Sequence, residues 1–163
     1  MGVASVPVGP VRPQGLEPAR RRTVPWHTAG CLHPLPQAAH SRAFTAALGL
    51  LDGRDDLSTV LLCGSVLCGE AGPTSDLDLD CVVIRPSRQR RYLVECGVLV
   101  GIFLNPPGQI RRCMRAEPHQ NRPSTAHMLT TGCVLLDRRP EILSALRTGA
   151  AEVLAAGGNR NLL

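Results

Sequence analysis

The sequence predicts a mixed α+β domain with a small mixed sheet flanked by helices, and three observations predict it. Short apolar runs of strand length (58–63, 76–84, 98–104, 133–136) are interspersed with longer stretches of helical period. Turn residues punctuate them at Asp52-Gly53, Gly64-Ser65, Gly72-Pro73, Cys96-Gly97 and Asn105-Pro106-Pro107. Their order is not the regular alternation of a βαβ series.

The elements follow in order. Residues 36–51 place Ala39, Ala43, Phe44, Ala47, Leu48 and Leu51 on one helical stripe, and Asp52-Gly53 stops that helix. Residues 58–63 read as a wholly buried strand, because no polar alternation interrupts its second half. Val66 to Ala71 opens a short helix after the Gly64-Ser65 turn. In the strand Asp76 to Ile84, Leu77, Leu79 and Cys81 point to the core and the aspartates point the other way. Pro86 to Arg91 is a basic connection, and 92–95 with 98–104 form a hairpin. Helices are predicted over 109–116, 124–131 and 141–156, the second with Ser124 as N-cap and Gly132 as C′ residue. A last short strand covers 133–136.

Length and composition narrow the class of protein. With 163 residues, 44% of them hydrophobic, the chain suits one domain with a real core. We expect a Pro- and Arg-rich disordered arm over 1–30, the domain over 31–157 and a tail over 158–163. No apolar run reaches the length of a membrane span, and the first thirty residues lack a secretory core; Arg20-Arg21-Arg22 precedes no hydrophobic segment. The expected location is cytoplasmic. Seven scattered cysteines without a C-x-x-C pair read as reduced, mostly buried small apolar residues rather than a zinc or disulfide framework. The formal charge of +5 comes entirely from arginine, which suits contact with phosphate.

The chemistry concentrates in Cys63-Gly64-Ser65 … Gly69-Glu70 … Ser75-Asp76-Leu77-Asp78-Leu79-Asp80. A small-residue turn lets backbone N–H groups approach phosphate oxygens. Carboxylates at i and i+2 of a strand share one face, roughly 6.6 Å apart along it. That arrangement suits divalent metal ions serving in-line phosphoryl or nucleotidyl transfer.

These residues resemble the signature of the DNA polymerase β-like nucleotidyltransferase superfamily, which includes kanamycin nucleotidyltransferase and the small minimal nucleotidyltransferases. The resemblance continues through Phe103-Leu104-Asn105-Pro106-Pro107, Arg122-Pro123-Ser124, His127-Met128-Leu129, Gly132, Val134-Leu135 and Asp137, and covers about 33–150. It implies a nucleotidyltransferase fold that binds Mg²⁺–NTP and moves a nucleoside monophosphate to an acceptor hydroxyl. Gly64, Ser65 and Ser75 would bind the nucleotide. Asp76 and Asp78 would be catalytic metal ligands at a two-metal or one-metal site, with Asp80 as a third candidate.

Two departures from the family pattern bear on turnover. The third carboxylate of the family falls on Gly101, within Val100-Gly101-Ile102-Phe103, and an Ala-Arg step before Gly69 is here Leu67-Cys68. Asp80 is the nearest substitute for the missing acid, and otherwise a solvated or arginine-paired residue; Glu95 lies further off. Arg85, Arg88, Arg90 and Arg91 could replace the missing charge or form a solvated basic loop. The alternative reading is therefore a catalytically impaired member that binds nucleotide or a protein partner, antitoxin-like or regulatory. A plain nucleic-acid binder is disfavoured, because only Trp26, Phe44, Tyr92 and Phe103 are aromatic. The acceptor (small molecule, protein or RNA) stays open. So does its source: larger relatives complete the acceptor site with a further domain, often across a dimer, so a homodimer or a partner protein is expected to supply it here.

Overall fold

The computed structural model describes residues 26–28, 35–117 and 123–158. The expectations for 1–25 and for the tail beyond 158 fall outside these residues. Helix α1 spans Ala38–Leu51, followed by β1 (Leu57–Cys63), a 3₁₀ turn (Ser65–Leu67) and β2 (Leu77–Val83). Then come β3 (Gln89–Glu95), β4 (Val98–Asn105), α2 (Pro107–Ala116), α3 (Ser124–Thr131), β5 (Cys133–Asp137) and α4 (Pro140–Gly158). The five strands form one sheet in the order β3-β4-β2-β1-β5, in which only β2 and β4 run parallel. The protein is thus a mixed α+β domain, as its sequence predicts.

Both faces of the sheet centre are covered. On one side, α1 buries Ala43, Phe44, Ala47, Leu48 and Leu51 against Leu77, Leu79, Cys81, Val100 and Ile102. On the other, Ile110, Met114, Leu129, Leu143 and Leu146 from α2, α3 and α4 close over Leu61, Cys63 and Val82. Two covered faces explain why all seven residues of β1 are buried. Each wholly buried leucine contributes about 2 kcal/mol through removal of its side chain from water.

Several local expectations give way to tertiary contacts. The short helix after the turn stops at Leu67 rather than Ala71, because Gly69 adopts φ +70°. Gln89, Arg90 and Arg91 are not connection but the start of β3, paired with Leu104, Phe103 and Ile102. Ser124 does not cap α3; its position N-terminal to the helix is taken by Pro123. Glu117 does that work instead, accepting from the Thr125 amide at 2.9 Å and from the Thr125 and Ser124 hydroxyls. Gly132 closes α3 with φ −59°, not in the left-handed region, its amide bonded to the Met128 carbonyl at 2.8 Å. A Cβ there would lie 2.5 Å from that carbonyl oxygen, so close packing, not a positive φ, selects the glycine.

The cysteines also need a correction. Cys63 and Cys81 are buried free thiols, but Cys68 and Cys96 are exposed and Cys133 is disulfide-bonded. Cysteine spacing in a sequence does not by itself reveal such a bond. Trp26 packs against the α1 side of the core, and the His27 amide donates to the Leu135 carbonyl of the edge strand β5 at 2.8 Å. No helix among the described residues is long and apolar enough to cross a membrane.

Candidate functional site

Antiparallel pairing of β1 with β2 sets Cys63 opposite Asp78, so the turn that follows β1 lands beside that carboxylate. Gly64 sits there with φ +90°, a conformation open to glycine and costly for any other residue. A Cβ on Gly64 would lie 3.5 Å from Asp78 Oδ2. The Leu67 and Cys68 amides bond back to the carbonyls of Gly64 and Ser65 at 3.2 and 3.1 Å, fixing the turn. Sequence-distant halves of the predicted motif therefore meet.

Asp76 is exposed just ahead of β2, and Asp78 is half-buried within it. Burial, and then the charge of Asp76, hold the Asp78 carboxyl above the usual carboxylate range. A carboxylate held above its usual range by a neighbouring acid forms a setting in which a bound cation is favourable. Ser75 faces away from this role: its hydroxyl accepts from the Gly72 amide at 2.9 Å, and its carbonyl accepts from His40 Nε2 at 2.9 Å. His40, wholly buried on α1, thus braces the segment that delivers Asp76. Its Nδ1 has no partner among the described residues.

Asp80 is buried rather than solvated, and among the described residues it has no arginine partner. It is only 3% exposed, and its Oδ1 accepts from Asn105 Nδ2 at 3.3 Å. Burial pushes its carboxyl up to about 6, the Asn105 hydrogen bond opposes this, and the Asp78 charge adds to it. It borders a cavity of about 230 Å³ lined also by Arg88, Arg90, Phe103 and Asn105. Neighbouring Cys63 has its thiol raised by burial and by the charges of Asp80 and Asp78, which leaves it protonated and unreactive.

Gly101 is the partner of Asp78 in the parallel β2–β4 pairing. A Cβ there would stand 2.9 Å from Asp78 Oδ1 and 3.0 and 3.1 Å from the Phe103 ring. An aromatic ring thus lies against position 101, where the sequence resemblance led us to look for a third acid. Tyr92 meets that ring edge-on at 6.1 Å and 89°, and the Arg90 guanidinium lies 5.4 Å from its centroid. The sequence names each of these residues but carries no sign of their assembly, which depends on strand register.

Other candidates lie elsewhere. Arg85 pairs with Asp56 at 2.6 Å, at the opposite end of the β1–β2 pair from Asp78. Glu95 sits at the hairpin turn beside Cys96, His127 is exposed on α3, and Cys68 is exposed after the turn. Among the described residues no group of three His, Cys, Asp or Glu side chains is arranged to hold a metal ion. Neither a protein-family model nor a curated protein matches the chain.

Proposed function

We propose that the protein binds Mg²⁺–NTP and transfers a nucleoside monophosphate to an acceptor hydroxyl, on a nucleotidyltransferase-type fold. The observation that carries this reading is the approach of Gly64 to Asp78, where a Cβ would be 3.5 Å from the carboxylate. It brings a small-residue turn, of a kind that can accommodate phosphate, beside the Asp78 carboxylate, with Asp76 two residues earlier in the chain. Asp76 and Asp78 fit one hard cation, since both offer carboxylate oxygens and Asp78 is held against the charge of Asp76. When bound, Mg²⁺ supplies charge neutralisation at the phosphates and orients the α-phosphate.

The residues themselves divide the work. Gly64 and Ser65 receive the β- and γ-phosphates along the bare turn backbone. Asp76 and Asp78 hold the cation-bearing side of the nucleotide, and His40 keeps Asp76 in place through Ser75. The acceptor oxygen bonds to the α-phosphorus as the bond from that phosphorus to the α,β-bridging oxygen breaks. Pyrophosphate leaves with that electron pair, and the hydroxyl proton passes to solvent.

A second reading, nucleotide binding without turnover, is favoured by Phe103 covering Gly101 where a third acid would act. Two measurements decide. Calorimetry with Mg²⁺–ATP and Mg²⁺–GTP should give binding that Asp76→Ala and Asp78→Ala abolish; no metal-dependent binding in the wild type would sink both readings. Transfer of label from α-labelled NTP separates turnover from binding alone.

A further inference from the structure

The side of the β3–β4 hairpin that faces away from α1 runs directly into the Asp78 site. Asp78 pairs with Gly101 and Gly101 with Tyr92, so the three stand in one row across three strands and share a face. At about 4.8 Å per strand, Tyr92 lies roughly 10 Å from Asp78. The adjacent row is Asp80, Phe103 and Arg90. Leu93, Val98, Val100 and Ile102 point the other way, into the core under α1, while α2, α3 and α4 pack over β1 and β2. Tyr92 is left 58% exposed and Val94 69%.

We propose that this face takes the nucleobases of a single-stranded nucleic acid whose terminal hydroxyl is the acceptor. This inference rests on the nucleotidyl-transfer reading and names the acceptor class for that site. Tyr92 and Phe103 supply ring surface, and stacking of bases on aromatic side chains is tolerant of sequence. Arg88 and Arg90, both exposed, stand beside it for the backbone phosphates. Acidic side chains are missing from this face of the hairpin, where Arg90, Tyr92 and Val94 face Phe103, Gly101 and Leu99. That charge pattern favours a polyanion over an acidic or neutral protein surface. The side chain missing at Gly101 lets the Phe103 ring extend the aromatic surface to the edge of Asp78.

The two flanks of Asp78 also suit opposite partners. Gly64 approaches Oδ2, and Gly101 approaches Oδ1. A nucleotide on the turn and an acceptor on the hairpin face would reach the α-phosphorus from opposite sides, as in-line displacement requires. The acceptor's terminal oxygen then forms the new P–O bond, and pyrophosphate departs toward the turn.

The test measures fluorescence anisotropy of labelled six-nucleotide RNA and DNA strands with the full chain, wild type and Tyr92→Ala. Tyr92 is exposed, so its loss should leave folding and Mg²⁺–ATP binding unchanged. The expected results are binding that weakens with salt, a loss on the order of tenfold in Tyr92→Ala, and a shallower salt slope in Arg90→Gln. The RNA and DNA arms distinguish the two kinds of strand. Equal binding by Tyr92→Ala, or no oligonucleotide binding by a wild type that binds Mg²⁺–ATP, overturns the acceptor class alone. Tyr92-dependent oligonucleotide binding without any Mg²⁺–ATP binding overturns the transfer reading and the acceptor role with it. A wild-type dimer in sedimentation that Val94→Asp dissociates would assign the face to a second copy and overturn the proposal.

Discussion

Asp78 and Gly101 are register partners, and a single methyl group on Gly101 would stand 2.9 Å from Asp78 Oδ1. This proximity makes position 101 a sensitive probe of the site, because whatever stands there touches both the carboxylate and the Phe103 ring.

Gly101→Ala is expected to destabilise the fold by about 1–3 kcal/mol through overpacking. Phe103 is only partly buried, so its ring can yield, and Phe103→Leu should recover part of the loss. Urea unfolding of the two single variants and the double variant measures the coupling. Strictly additive losses would refute the contact. For the same reason, Gly101→Asp should support label transfer better in the Phe103→Leu background than alone.

Asp80 should impose a pH dependence on stability. Its folded pKa of about 6 lies above the ordinary value, so the native state binds more protons than the unfolded chain between about pH 4 and 6. Stability therefore falls as pH rises through that window, by an amount on the order of 3 kcal/mol. Asp80→Asn keeps an acceptor for Asn105 and removes the charge. Unfolding at pH 4.5 and 7.5 in EDTA should show a smaller fall in the variant, and an unchanged fall would contradict the burial argument.

Removing metal should separate stability from binding at Asp78. Its carboxyl is raised by burial and by Asp76, so Asp78→Asn is expected to stabilise the metal-free protein. At a hundred times Kd, Mg²⁺–NTP should add about 2.7 kcal/mol to the wild type and nothing in EDTA. Thermal melts of Asp78→Asn should start higher and gain nothing from Mg²⁺–NTP.

His40 links the core to the site. His40→Ala removes a buried ring and its 2.9 Å bond to the Ser75 carbonyl, at a cost of about 2–4 kcal/mol. If the bond positions Asp76, Mg²⁺–NTP affinity falls as well, and His40→Gln, which keeps a donor, restores part of both. Calorimetry at a temperature where the variant stays folded reads the second effect. Unchanged affinity would leave His40 with packing alone.

Much of the local architecture was legible in the residues. The alternation in β2 already separates Leu77, Leu79 and Cys81 from Asp78 and Asp80, since a strand turns successive side chains to opposite faces. The stripe of α1 was legible in the same way, apart from His40, a polar residue buried within it. The start of β3 was hidden because Gln89, Arg90 and Arg91 are polar, and an exposed edge strand gives no apolar signal.

What the sequence by itself determined is local: a helical stripe, strand faces, a glycine turn and an acidic pair. Periodicity fixes which way a side chain points, because backbone geometry repeats over a few residues. What it meets depends on register and strand order, which join segments far apart in the chain. Only the tertiary structure placed Gly64 and Gly101 on either side of Asp78, Phe103 beside Asp80, Asn105 on Asp80 and His40 beneath Ser75. The acidic pair could be read residue by residue; the placing of Gly101 and Phe103 beside Asp78 and Asp80 came from the register of β2 against β4.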